Sequence, residues 1–232
     1  VLFRSVHSNE TGCAGEENFH GYKRPSAAPN GNIPLTSNNT APGWPRALIP
    51  RSPSATNWLW TGNTGSIATN YAQLAFGTSG FSYNGDQLQF TVVSGNSTVS
   101  SITSNQKFGN GSDWIHVVAV ADTTNATPSE RVKLYANGQR ITSLQGIVYP
   151  SQNTALPFFN SSSYEQRLGG VVTYGNHDGY MAEVNFVDGQ ALTPSSFGQF
   201  DANNNWVPRP YTGTFGVNGY YLPFNKPSVS TY

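Results

Sequence analysis

The pattern of apolar and polar positions changes near residue 57. Before it no period of 2 or 3.6 persists, and Pro25, Pro29, Pro34, Pro42, Pro45, Pro50 and Pro53 alternate with Asn, Gly and Ser. Residues 1–56 therefore cannot build a core of their own. They are expected to form an N-terminal arm that wraps the main domain or donates a strand to a neighbour. After residue 57 the period is that of strands. "YAQLAFG" (71–77) and "QLQFTVV" (87–93) flank a segment containing Asn84-Gly85, a dipeptide suited to the positive φ of a tight hairpin. "DWIHVVAVAD" (113–122) reads as a strand buried on both faces.

"ERVKLYANGQRITSL" (130–144) is the clearest hairpin. Val132, Leu134 and Ala136 alternate against Lys133 and Tyr135, with the turn at Asn137-Gly138. "DGYMAEVNFVDG" places Tyr180, Ala182, Val184 and Phe186 on one strand face, with Met181, Glu183, Asn185 and Val187 on the other. Asp178-Gly179 and Asp188-Gly189 serve as turns at its ends. "TPSSFGQF" (193–200) predicts one short helix with Thr193 as N-cap and Pro194 in its first turn. "NGYYLPF" (218–224) predicts a last strand. Short strands separated by turn dipeptides indicate an all-β sandwich, with one domain over 57–232.

Composition narrows the class. The 232 residues carry 12 basic and 12 acidic side chains, and only 10% are charged, so the basic stripe of a nucleic-acid binder is missing. The longest apolar run, "WIHVVAVA" (114–121), is too short to span a bilayer. The single cysteine, Cys13, excludes an intrachain disulfide and leaves a free thiol or an intermolecular bridge. Asn9, Asn38, Asn96, Asn110, Asn125 and Asn160 lie in glycosylation sequons, about as many as so Asn- and Ser/Thr-rich a chain holds by chance. The chain starts at Val1 and its sole Met is Met181, so the start reads as a processing site or a truncated reading frame, with no signal peptide.

Trp114-Ile-His116-Val117, Lys133 to Gly138, Asp178-Gly179-Tyr180 and Ala191-Leu192-Thr193 occur in the order seen in concanavalin A-like, laminin-G-like jelly rolls. Over 57–224, and most densely over 113–224, the chain resembles that family. It is similar to the version found in structural proteins of marine and freshwater bacteriophages. The resemblance implies two packed antiparallel sheets with a concave face. It also implies glycan recognition or virion and appendage architecture more often than catalysis. Residues 1–56 do not resemble the family's opening strands, which leaves the first strand and the sheet edge unassigned.

Some relatives of this fold are glucanases, and a retaining glycosidase needs two carboxyls about 5–5.5 Å apart. Acids at i and i+2 of a strand meet that need, but no two acids beyond Glu17 have this spacing, and Glu183 stands alone between Met181 and Asn185. There is no Gly-x-Ser-x-Gly elbow, and His7, His20, His116 and His177 lack zinc-ligand spacing. His116, within an apolar strand, reads as a core or cross-strand residue. Relatives sometimes hold calcium through loop carboxylates and carbonyls, which makes Asp122, Asn125 and Asp178 the candidates; the competing reading makes them turn residues. Trp44, Trp58, Trp60, Trp206 and Tyr211 fall near loops or Pro-rich stretches, where rings either stack on sugars or pack linkers down. Packing is the preferred reading, and Trp206, Tyr174 and His177 are the candidates for glycan contact.

These readings point to a non-catalytic extracellular or virion protein. Its primary role is expected to be self-assembly into a filament or particle through the arm and the sheet edges, with copies of itself as partners and no cofactor beyond calcium. Carbohydrate adhesion to cell-surface glycans is the alternative.

Overall fold

The computed structural model describes residues 57–63, 69–77, 87–108, 114–159, 164–170 and 181–224. The expected arm, the Asn84-Gly85 turn, and Asp178, Tyr174 and His177 lie outside them. So do the sequons at Asn9, Asn38, Asn110 and Asn160, and Cys13.

All strand pairing is antiparallel. Strands β1 (Asn57–Asn63), β2 (Tyr71–Phe76), β3 (Gln87–Ser94) and β4 (Ser97–Lys107) form a meander. The remaining elements are β5 (Val117–Ala121), the single helical turn α1 (Pro128–Arg131), β6 (Val132–Ala136), β7 (Gln139–Arg140), β8 (Leu144–Val148), β9 (Glu165–Leu168), β10 (Val184–Phe186), β11 (Gly198–Phe200), β12 (Trp206–Pro208) and β13 (Tyr220–Leu222). Strand β8 joins the meander beside β4 and β9 joins it beside β1, giving a six-stranded sheet ordered β8-β4-β3-β2-β1-β9. Three smaller sheets, β5-β6-β7, β10-β13 and β11-β12, complete the fold.

One core joins the large sheet to the β5-β6-β7 and β10-β13 sheets. Trp60, Leu74, Phe90 and Ile102 form a row across β1 to β4 by register, and the same cluster includes Ala119 and Leu134 of β5 and β6 and Phe186 of β10. Aromatic rings run through it: Phe90 lies 5.9 Å from Phe159, Phe159 stacks on Trp60 at 5.0 Å, and Phe186 stacks on Tyr220 at 5.3 Å. Such stacking adds about 0.5–1.5 kcal/mol per pair beyond area burial.

The doubly buried strand is present. Val117, Ala119 and Ala121 enter the main core, while Val118 and Val120 meet Val187 and Phe197 in a second cluster. It starts at Val117, four residues later than predicted, and Trp114 precedes it. The β6–β7 hairpin has the predicted alternation, and Asn137 and Gly138 take φ of 47° and 79°, the mirror-image turn that matches strand twist.

Three predictions differ from the structure. The strand predicted to begin at Tyr180 begins at Val184, because Glu183 adopts φ 55° and breaks the extended run. Residues Val184 to Val187 are then buried on both faces rather than alternating. The helix at 193–200 is a single 3₁₀ turn over Pro194–Ser196, followed by β11; Thr193 holds the N-cap position, but its hydroxyl pairs with that of Ser195 instead of a backbone N–H. A tight hairpin joins β3 to β4 through Gly95 and Asn96, at φ 57° and 65°. Trp58 and Trp60, read from the sequence as rings near loops, are buried residues of β1, the first described strand.

Candidate functional site

The large sheet has a core face and an outer face, and the outer one is polar. A bulge between Trp58 and Trp60 turns Trp58 outward. Register then lays Trp58, Ala75, Gln89 and Thr103 in one row and Thr61, Gln73, Thr91 and Ser101 in the next. Amides and hydroxyls without a charged side chain fill the centre of this face. At the β9 edge Arg167 pairs with Glu165. All eight residues are at most 7% exposed, and Trp58, Ala75 and Tyr71 form an apolar cluster separate from the core. Gln89 Oε1 and Thr103 Oγ1, neighbours across β3 and β4, are buried without a hydrogen-bond partner among the described residues.

The sheet's β8 edge is the reverse: apolar and open. Leu144-Gln145-Gly146-Ile147-Val148 carries neither charge nor proline, and Ile147 and Val148 are 48% and 40% exposed. Gly146, at φ 58°, forms the bulge where the register with β4 shifts, so Ile147 and Val148 project from a twisted edge. Elsewhere in the described residues Val217 is 90% exposed, and Tyr221 and Phe224 are 43% and 47% exposed.

The described carboxylates are all engaged locally. Asp122 accepts from the N–H and hydroxyl of Thr124, Glu130 pairs with Lys133 and Arg140, and Glu165 with Arg167. Glu183 accepts from Tyr221, Asp188 from the Asn218 amide, and Asp201 from Asn203 and Asn205. The guanidinium beside Glu130 and the backbone N–H groups around Asp201 hold both carboxyls below their usual range.

Two calcium candidates fall in one loop. Asn125 Oδ1 accepts from the N–H of Thr127, and Asp122 caps its own turn. Within this loop the carbonyls of Asn125 and Ala126 accept from the Arg131 guanidinium at 2.8 Å each, and that of Pro150 at 2.9 Å. A buried guanidinium thus occupies the carbonyl cage. No three of His, Cys, Asp and Glu converge among the described residues.

The described aromatic candidates pack. Trp206 lies against Gly138 and Gly198, where an added Cβ would sit 2.4 and 2.5 Å from the indole, with His116 at 5.8 Å and Phe200 at 5.0 Å between ring centres. His116 is a packing residue as expected, but its Nδ1 has no partner, and burial pushes its pKa down to about 3. Tyr211 packs on Phe197 and Phe215. Of the described sequons, Asn96 is exposed at a hairpin tip and Asn125 is tied into its turn. No helix of the described residues is long and apolar enough to cross a membrane.

Sequence reasoning missed both sheet surfaces. Alternating Gln and Thr in "QLQFTVV" was the signal for the polar face, and uncharged "LQGIV" the signal for the edge. Comparison with protein-family models, curated proteins and solved structures finds no match.

Proposed function

We propose that this chain is a non-catalytic structural subunit, a concanavalin A-like jelly roll that assembles into an extracellular filament or phage particle through its sheet edges. The observation that carries the reading is the β8 edge. An exposed edge is a template for strand addition, and proteins that stay monomeric protect it with Lys, Pro or inward charge. Strand β8 has none of these and displays Ile147 and Val148; its bulge is the sole blunting device. Val217, Tyr221 and Phe224 are further exposed apolar residues outside β8, and contact between unlike surfaces is heterologous and chain-forming.

Local pairing of every described carboxylate supports the non-catalytic side of the reading. Glycan adhesion is the alternative from sequence. The packing of Trp206 makes it the lesser reading.

Sedimentation and negative-stain microscopy over rising concentration test the proposal. The full chain is expected to form rods or large oligomers, and Ile147→Lys or Val148→Lys to leave a folded monomer with an unchanged melting temperature. A chain that stays monomeric throughout, or edge variants that assemble as before, would overturn it.

A further inference from the structure

The described sheet ends in two strands of opposite character. Strand β8 is uncharged, and every residue after Leu144 is exposed, so the chain leaves this edge open. Strand β9, at the far end, carries the Glu165–Arg167 ion pair and, among the described residues, pairs only with β1. The six strands are joined by antiparallel pairings throughout, so the two end strands run in opposite directions. A second copy moved sideways by the width of the sheet therefore lays its β9 antiparallel to β8, with its core face on the same side.

We propose that β8 of one copy takes β9 of the next as its partner strand, making one continuous sheet along a filament. The proposal rests on the assembly reading above and names its contact. Two rows of register partners select β9 and fix the alignment. The outer row runs Arg167, Thr61, Gln73, Thr91, Ser101 and Val148 across the whole sheet. The core row beside it runs Leu168, Trp60, Leu74, Phe90 and Ile102, and there meets the bulge at Gly146 and Ile147. Val148 lies in the outer row, so Ile147, one residue away, lies on the core side. Continuing both rows without stagger sets the partner's Arg167 beside Val148 and the partner's Leu168 beside Ile147. The apolar row then continues from one copy into the next, and the 48% exposed Ile147 is covered. The irregularities also match: Gly146 at φ 58° and the partner's Gly169 at φ 73° fall opposite each other, outside the two aligned pairs.

Pairing β8 with a second β8 lacks this match. It would set the bulge in both strands at once, and a two-fold contact closes on itself instead of growing. Right-handed strand twist, about 20° per strand, turns the joined sheets into a screw rather than a flat ribbon.

Single cysteines in the full-length Cys13→Ser chain provide the test. Val148→Cys and Arg167→Cys are made separately, and each protein's melting temperature reports folding. Mild oxidation of an equal mixture is expected to give a disulfide-linked product of dimer mass, several-fold more than either variant gives alone. The double variant Val148→Cys/Arg167→Cys is expected to link into a ladder of whole-chain multiples. Val148→Cys linking to itself as readily would mean a two-fold β8 contact and overturn the pairing. Assembled chains with no link in the mixture would also overturn it, while leaving the assembly reading intact. A chain that never assembles would overturn both. If Arg167→Cys does not fold, the charge at position 148 decides: Val148→Glu, facing the partner's Arg167, is expected to assemble at several-fold lower concentration than Val148→Lys. Equal assembly of the two would refute the alignment.

Discussion

Tyr221 donates its phenolic hydrogen to Glu183 Oε2 across 2.6 Å, joining β13 to the residue that precedes β10. Glu183 has φ 55°, a region costly for a side-chain-bearing residue, so the pair holds an acid where strand pairing stops. Burial, with the adjacent carboxylate, pushes Tyr221 up to about 12. Glu183→Gln removes the negative charge and should bring the phenol's ionisation back toward 10, read by near-ultraviolet titration. Tyr221→Phe should lower stability by about 0.5–1.5 kcal/mol in urea unfolding, as for one exchanged hydrogen bond. An unshifted titration in the Gln variant would mean that the carboxylate does not contribute.

Trp206 and Gly138 give a second prediction. Gly138 sits at φ 79° in the β6–β7 turn, and a Cβ there would lie 2.4 Å from the indole. Gly95, at φ 57° in the β3–β4 turn, has nothing within 4 Å of the same added atom. Gly95→Ala therefore measures backbone strain alone, about 1 kcal/mol. Gly138→Ala should lose about 1–3 kcal/mol more because the indole must move. Equal losses in denaturant melts would show that the ring yields freely.

Legibility followed local chemistry. The β6–β7 hairpin was readable because Val132, Leu134 and Ala136 alternate strictly and Asn137-Gly138 tolerates positive φ. Strand β5 was readable as doubly buried because apolar residues run without a break. Strand β1 was not, because its bulge sends Trp58 outward and both Leu59 and Trp60 inward, which erases the period of 2. The break at Glu183 was equally hidden: nothing in "MAEVNF" marks a left-handed residue. Of the functional surfaces, the β8 edge had a local sign in uncharged "LQGIV", but that this strand ends the described sheet is a matter of long-range pairing. The polar face was obscured because alternating Gln and Thr resemble an ordinary solvated strand face, whereas here they are buried.

Arg131 organises the loop in which the calcium candidates lie. Its three donors meet the carbonyls of Asn125, Ala126 and Pro150, and it is buried. Arg131→Met would leave those carbonyls without their donor, and Arg131→Lys cannot reproduce the planar fork. We expect losses of about 3–5 kcal/mol for Met and somewhat less for Lys. The loss should appear as a lower denaturant midpoint, with the m-value unchanged. A Met variant within about 0.5 kcal/mol of the parent would show that water replaces the guanidinium without loss.

His116 sets an acid limit on stability. Burial pushes its folded pKa to about 3, against an ordinary value of 6.5 in the unfolded chain. The native state therefore holds the imidazole neutral while the unfolded state takes up a proton as pH falls below 6.5. Protons bind the unfolded form preferentially, so stability drops with falling pH through this window, by at most about 1.4 kcal/mol per pH unit for one group. Glu130 and Asp201 have depressed folded pKa values, and their contribution is lost at lower pH, as carboxylates protonate below about 4. The interval from pH 6.5 to about 4.5 is thus dominated by histidine. His116→Phe keeps a ring against Trp206 and cannot titrate, while His7, His20 and His177 are common to both proteins. Denaturant unfolding across this interval should show a shallower pH slope in the variant, by close to one proton's worth. Identical slopes would place His116 in contact with water, free to protonate in the folded chain.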